Sequence, residues 1–96
     1  MTGYLPKPRT LIKGDYCEGE SLDAIGWLLH HLEHVPMDVI ENDRRRVARE
    51  ERKMAARYGW SMDSLKDLTK WNDSLDDRSR VVFFAQWCKQ RGFVCL

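Results

Sequence analysis

Histidines at positions 30, 31 and 34, with Glu33 among them, form the densest group of potential metal ligands in the chain. His30 and His34, four apart on a helix, share a face and could reach one zinc ion, with Cys17 or Cys88 as further ligands if the fold brings them close. The arrangement lacks the HExxH form, because histidine and not glutamate follows His30, and no second ligand pair stands at a fixed spacing. A polar helix end explains the cluster equally well, since histidine near a helix C-terminus is favoured by the helix dipole. No metal or other cofactor is therefore expected. His30, His34 and Cys17 are the residues a metal would take.

Cys17, in Gly14-Asp15-Tyr16-Cys17-Glu18-Gly19, could act as a nucleophile with a histidine as base. A loop cysteine beside acidic residues has its pKa raised, which opposes that role. The chain has no Gly-rich phosphate loop, no G-x-S-x-G and no paired acids in an apolar setting. An enzyme is not expected, and a zinc- or cysteine-dependent enzyme is the third reading.

Basic residues offer a different chemistry. Arg44-Arg45-Arg46, Arg49, Arg52, Lys53 and Arg57 lie in one run. Successive helical residues are about 100° apart, so Arg45, Arg49 and Arg52 or Lys53 make one ridge suited to phosphate or to an acidic protein surface. Asp43, Glu50 and Glu51 are interleaved and weaken its field. For nucleic acid the candidates are Arg44, Arg45, Arg46, Arg49, Arg78 and Arg80. For a protein partner they are Arg45, Arg49, Arg52, Lys53 and Arg57 with Tyr58 and Trp60, because aromatic residues and arginine dominate binding hot spots.

The elements that must carry these residues follow from periodicity and capping. Pro6 and Pro8 favour an extended arm over residues 1–20. Ser21 as N-cap and Leu22, Ile25, Leu28, Leu29 and Leu32 at helical spacing predict a helix over about 22–34, stopped by Pro36. A long helix is expected over 38–58, ended by Gly59, with only a thin apolar stripe of Ile40, Val47 and Met54. That stripe suits packing on the body or a helix-to-helix dimer. Arg46–Glu50 and Glu41–Arg45 pairs would support the helix.

Ser61 caps a short helix to Trp71 whose face is Met62, Leu65, Leu68 and Trp71. Asn72-Asp73-Ser74 then breaks the chain. A last helix over about 77–91 ends at Gly92 and, with Val81, Val82, Phe83, Phe84, Trp87 and Cys88, should be the most buried. This pair resembles a helix-turn-helix, except that its second helix would bury and not present its middle. Phe93 to Leu96 is an apolar tail that folds back. The expected fold is all-α, one domain over 1–96: a bundle of about four helices with an extended N-terminal arm.

Composition is that of an ordinary folded domain, with 43% hydrophobic and 32% charged residues and a net charge of +1. That balance gives no overall field toward nucleic acid or membrane. Charge is nonetheless uneven: residues 38–58 hold seven basic and five acidic groups, 60–77 two and five, and 78–96 four and none. The three cysteines form no CxxC pair. With no apolar leader and no membrane-length apolar stretch, a reduced, cytoplasmic protein is expected.

Leu68-x-x-Trp71-Asn72-Asp73, followed by a polar loop and an amphipathic helix to Trp87, resembles a family of small uncharacterised proteins of bacteria and their phages. The Gly14–Gly19 segment is similar to that family's early glycine and cysteine segment. Where the family has a small-residue stretch after its middle cysteine, this chain has Ile25-Gly26-Trp27-Leu28 without a cysteine. The resemblance implies a phage or mobile-element origin and carries no functional assignment beyond it. The favoured reading is a small non-catalytic protein that binds a host protein or complex and inhibits or redirects it, in the host cytoplasm if phage-encoded. A DNA-binding regulator using the basic ridge is the alternative.

Overall fold

A computed structural model describes residues 3–96, so Met1 and Thr2 of the expected arm lie outside the described residues. The chain is mostly helical, with the elements β1 (Gly3–Leu5), β2 (Cys17–Glu18), β3 (Ser21–Leu22), α1 (Ala24–Leu32), α2 (Met37–Asn42), α3 (Arg44–Tyr58), α4 (Met62–Ser74), α5 (Asp77–Gln90) and β4 (Phe93–Cys95). The expectation of an all-α bundle of about four helices is corrected on two counts. There are five helices among the described residues, and β1 pairs in parallel with β4 while β2 and β3 form a small hairpin.

Ser21 does not cap the first helix, because its backbone belongs to the hairpin. Asp23 takes that place, its carboxylate accepting the Gly26 amide at 2.7 Å. At the other end, α1 stops at Leu32, before the expected 34. His34 adopts a left-handed φ of 55°, and the Glu33 and Val35 amides both return to the Leu29 carbonyl. The long helix expected over 38–58 is two helices. Asp43 leaves helical geometry and its side chain accepts the Arg46 amide at 3.1 Å, so a local side-chain bond wins over continuity.

Gly59, with φ 71°, ends α3, and Ser61 caps α4 through the Ser64 amide. The break expected at Asn72-Asp73-Ser74 falls later. α4 runs through those residues, and Asp76 caps α5 by accepting the Ser79 amide at 2.8 Å. The buried stripe of α4 is Leu65, Leu68 and Asn72, while Trp71 is 46% exposed. Over three turns a period of 3.6 carries the stripe to 72, not 71.

The core joins Leu5 and Leu11 of the arm to Ile25, Leu28 and Leu29 of α1, and to Leu65, Leu68 and Phe84 of α4 and α5. Ile40, Val47 and Met54 are fully buried in it, so the seven-residue stripe is spent within the chain and leaves no free dimer seam. The C-terminal residues do return to the body, as a strand: Gly3 pairs with Phe93 and Leu5 with Cys95. No helix among the described residues is long and apolar enough to cross a membrane.

Candidate interaction surfaces

The histidine and cysteine cluster does not assemble. Because α1 ends at Leu32, His30 and His34 no longer share a helical face. His30 Nδ1 lies 2.9 Å from the Val35 carbonyl, and His31 packs on Trp27 with ring centroids 4.3 Å apart. Burial, then the neighbouring His30 and His34, lower the His31 pKa. Cys17 is buried in the hairpin with its thiol directed at the Gly19 carbonyl. Burial, Glu41 and Asp23 push that thiol up, away from the thiolate a nucleophile needs. Among the described residues, no three His, Cys, Asp or Glu side chains come together to hold a metal ion.

The arginine run of α3 is displayed as expected, with Arg44, Arg45, Arg46, Arg49, Arg52, Lys53 and Arg57 all exposed. Its ion pairs differ from those the spacing suggested. The Arg46–Glu50 and Glu41–Arg45 pairs do not form; Lys53 pairs with Glu50 at 3.6 Å, Arg57 with the buried Glu33 at 3.5 Å and Arg44 loosely with Asp15. Three acids of the region are committed elsewhere. Glu41 accepts the Gly19 amide, Glu51 the Tyr16 hydroxyl, and Asp43 is the cap of α3. Glu51 and burial together push Tyr16 up to about 12, burial being the larger cause. Arg45, Arg49 and Arg52 form a ridge with no ion pair among the described residues, although the charge of Glu51 still acts on Arg52.

Tyr58 and Trp60 are less available. Trp60 stacks on Tyr58 with centroids 4.9 Å apart and meets Trp87 and Phe93 edge-on, in a half-buried aromatic cluster capped by Arg91 lying 3.8 Å over the Trp87 ring. The same burial raises the Tyr58 pKa. The cluster joins the end of α3 to β4 and α5, and Tyr58 and Trp60 keep part of their surface exposed.

Arg80 is not a surface cation. It is 3% exposed, and its guanidinium donates to the Asn72 carbonyl, to the Leu11 and Leu75 carbonyls at 2.7 Å each, and to Asp77 at 2.8 Å. Its place among the nucleic-acid candidates is therefore corrected, whereas Arg78 is exposed. Asn72 beside it is equally committed: its amide donates to the Ile12 carbonyl and its oxygen accepts the Ala24 amide. Asp73 accepts the Gly14 amide. The W-N-D segment is the clasp that binds the arm and the start of α1 to α4 and α5, which is a structural account of those residues.

Asp23 lies against this clasp. Burial is the main cause that lifts its pKa to about 7, with Asp73, Glu51 and Asp15 adding and the Gly26 amide opposing. An unfolded aspartate titrates near ~3.9, so the folded state favours the neutral acid. Its contribution to stability is fully present below about pH 4 and is lost as pH rises through about 7. Asp23→Asn keeps a capping oxygen and removes the titration. Urea midpoints measured between pH 4 and 8 should fall with pH more steeply for the parent chain than for the variant. Parallel curves would place the Asp23 pKa in the ordinary range.

The outer side of α5 is the surface that sequence reasoning overlooked. Only Arg80, Phe84, Trp87 and Cys88 of this helix are buried, which corrects its expected place as the most buried element. Val82 is 54% exposed, and shallow apolar grooves run on both sides of it. Leu75, Ser79 and Phe83 line one, with Trp71 packed against Phe83, and Val81 and Ala85 line the other beside Lys7 and Arg9 of the arm. Arg78 borders both. Lys7, Arg9 and Arg78 line these grooves; in the sequence they belong to the segments 1–14 and 78–96, which contain seven basic residues and no acidic one, while 15–77 contains nine basic and fifteen acidic. The near-zero net charge conceals this separation. An apolar run too wide for one buried stripe, Val81 to Ala85, was the available signal. No protein-family model, curated protein or solved structure matches the chain.

Proposed function

We propose that this chain is a small non-catalytic module that acts by binding another protein, and that the outer face of α5 with the adjoining arm is its docking surface. The observation that carries the reading is the coincidence of exposed apolar side chains, Val82 and Trp71, with a rim of one charge sign at Lys7, Arg9 and Arg78. Apolar burial supplies affinity and the rim supplies orientation and partner choice. In this reading the partner belongs to a host complex, in keeping with the resemblance of the Leu68–Trp87 segment, and occupancy of its surface inhibits or redirects that complex.

Capture from a host-cell lysate tests the reading. Tagged chain should retain a stoichiometric protein after nuclease treatment, and Val82→Glu, at an exposed position, should lose it without a change in circular dichroism. Recovery abolished by nuclease would overturn the proposal.

A second reading, nucleic-acid binding by Arg44, Arg45, Arg46 and Arg49, is favoured by the exposure of all four, of which, among the described residues, only Arg44 makes an ion pair, and that a loose one with Asp15. Its signature is salt dependence. If several phosphates are neutralised, affinity for a DNA duplex should fall steeply, by about one power of salt concentration per phosphate contact, and Arg45→Ala should reduce the slope by about one. A flat salt response would remove this reading.

A further inference from the structure

We infer that the face formed by α5 and the arm is built to seat an acidic amphipathic helix of the partner, an inference that rests on the protein-binding reading above. Arg78, Val82 and Gln86 are spaced by four along α5 and form a ridge, with a groove on each side. A helix laid alongside places its own ridge of apolar side chains into one of these grooves, the usual way two helices pack. The floor on the arm side is Val81 and Ala85, and on the other side Leu75 and Phe83. These are the short and broad apolar surfaces that leucine-sized side chains fill.

Charge selects among occupants. Lys7 and Arg9 stand on the far wall of one groove and Arg78 on the shared ridge, and no carboxylate lines either groove. Asp76 and Asp77 lie outside at the N-terminal end of α5, where Asp76 is the helix cap and Asp77 pairs with Arg80. A second copy of this chain docking through the same face would bring Arg78, Lys7 and Arg9 against their like. A duplex would satisfy the cations and leave Val82, Phe83 and Ala85 without an apolar cover. A bilayer surface would meet the ridge at Val82 and leave the groove floors of Val81, Ala85, Leu75 and Phe83 unfilled. Glutamate or aspartate flanking an apolar stripe satisfies both halves of the surface.

Fluorescence anisotropy with synthetic probes provides the test. The probes are a labelled helix of about the length of α5 carrying leucine at helical spacing with glutamate elsewhere, the same helix with lysine for glutamate, a labelled DNA duplex, and vesicles of phosphatidylcholine with phosphatidylserine. The glutamate helix should bind the parent chain at physiological salt. Val82→Glu should weaken that binding by about tenfold or more, and Lys7→Glu with Arg78→Glu should turn the preference to the lysine helix. Equal binding of both helices to the parent chain would overturn the acidic partner and leave the protein-binding reading standing. Binding of duplex or vesicles without binding of the glutamate helix would overturn both. Binding of no probe would overturn the helix inference alone, since lysate capture judges the broader reading separately.

Discussion

Arg80→Met is expected to cost about 3 kcal/mol or more, because three main-chain carbonyls lose their donor at about 1–3 kcal/mol each. Domains of this size have total stabilities of roughly 5–15 kcal/mol, so the variant should lose a large share of its stability. The reason lies in what the guanidinium satisfies. It reaches the carbonyls of Asn72, Leu75 and Leu11, which belong to α4, to the turn before α5 and to the arm. Methionine fills much of the volume and leaves those carbonyls with no donor. The carboxylate of Asp77, 89% exposed, returns to water at little cost, so the loss comes from the main-chain acceptors and not from the ion pair.

Arg80→Lys should recover little, because a single ammonium on a flexible stem cannot donate in three fixed directions at once. Urea unfolding of the parent, Arg80→Met and Arg80→Lys chains measures this directly. A methionine variant within ~1 kcal/mol of the parent would mean that the carbonyls are satisfied in another way.

Gly26→Ala should also be strongly destabilising, in opposition to what helix propensity alone suggests. Alanine in a helix interior is better than glycine by about 1 kcal/mol, and Gly26 lies inside α1. A Cβ at this position, however, would overlap the Tyr16 carbonyl oxygen and press on Leu22 Cδ2 at 3.1 Å and on Asp23 Oδ1 at 3.2 Å. The oxygen is fixed, because it accepts the Asp23 amide at the entry to the helix. Relief requires the hairpin to move away from α1, which also disturbs the Asp23 cap. A net loss of about 2 kcal/mol or more is expected, with overpacking outweighing the propensity gain. Thermal unfolding of Gly26→Ala at or above the parent midpoint would show that the hairpin yields freely.

These two residues show what was legible in the sequence. Caps and stops with local chemistry were: Pro36, Gly59 and Ser61 mark helix boundaries by their own backbone and side-chain preferences, and the helices they delimit follow. Asp43 was missed because the run around it holds no glycine or proline. Its competing side-chain bond depends on a local choice that propensity does not rank. The strands were missed because pieces of two or three residues carry no periodicity, and β1 finds β4 from the other end of the described chain.

Asn72 and Asp73 read as turn formers from their neighbours. Their actual partners, Ile12, Ala24 and Gly14, lie more than forty residues away, where local reasoning has no access. Arg80 and Arg78 are indistinguishable as letters, and only the fold makes one a clasp and the other a rim. The arginine ridge of α3 was readable as a display. Its pairing pattern was not, because Glu41 and Glu51 turn to the hairpin and to Tyr16.

The parallel pairing of β1 with β4 bears on how the chain is made. Translation proceeds from the arm toward β4 at roughly 5–20 residues per second, so β1 waits several seconds for its partner after it leaves the ribosome. Arg80, which holds the Leu11 carbonyl, arrives almost as late. During that interval Leu5 and Leu11 have no finished core to enter, and the helices between them and Arg80 must assemble without the clasp. Closure of β1 onto β4 therefore cannot precede synthesis of residues 93–95, and a ribosome stalled before residue 93 would hold β1 without its partner strand.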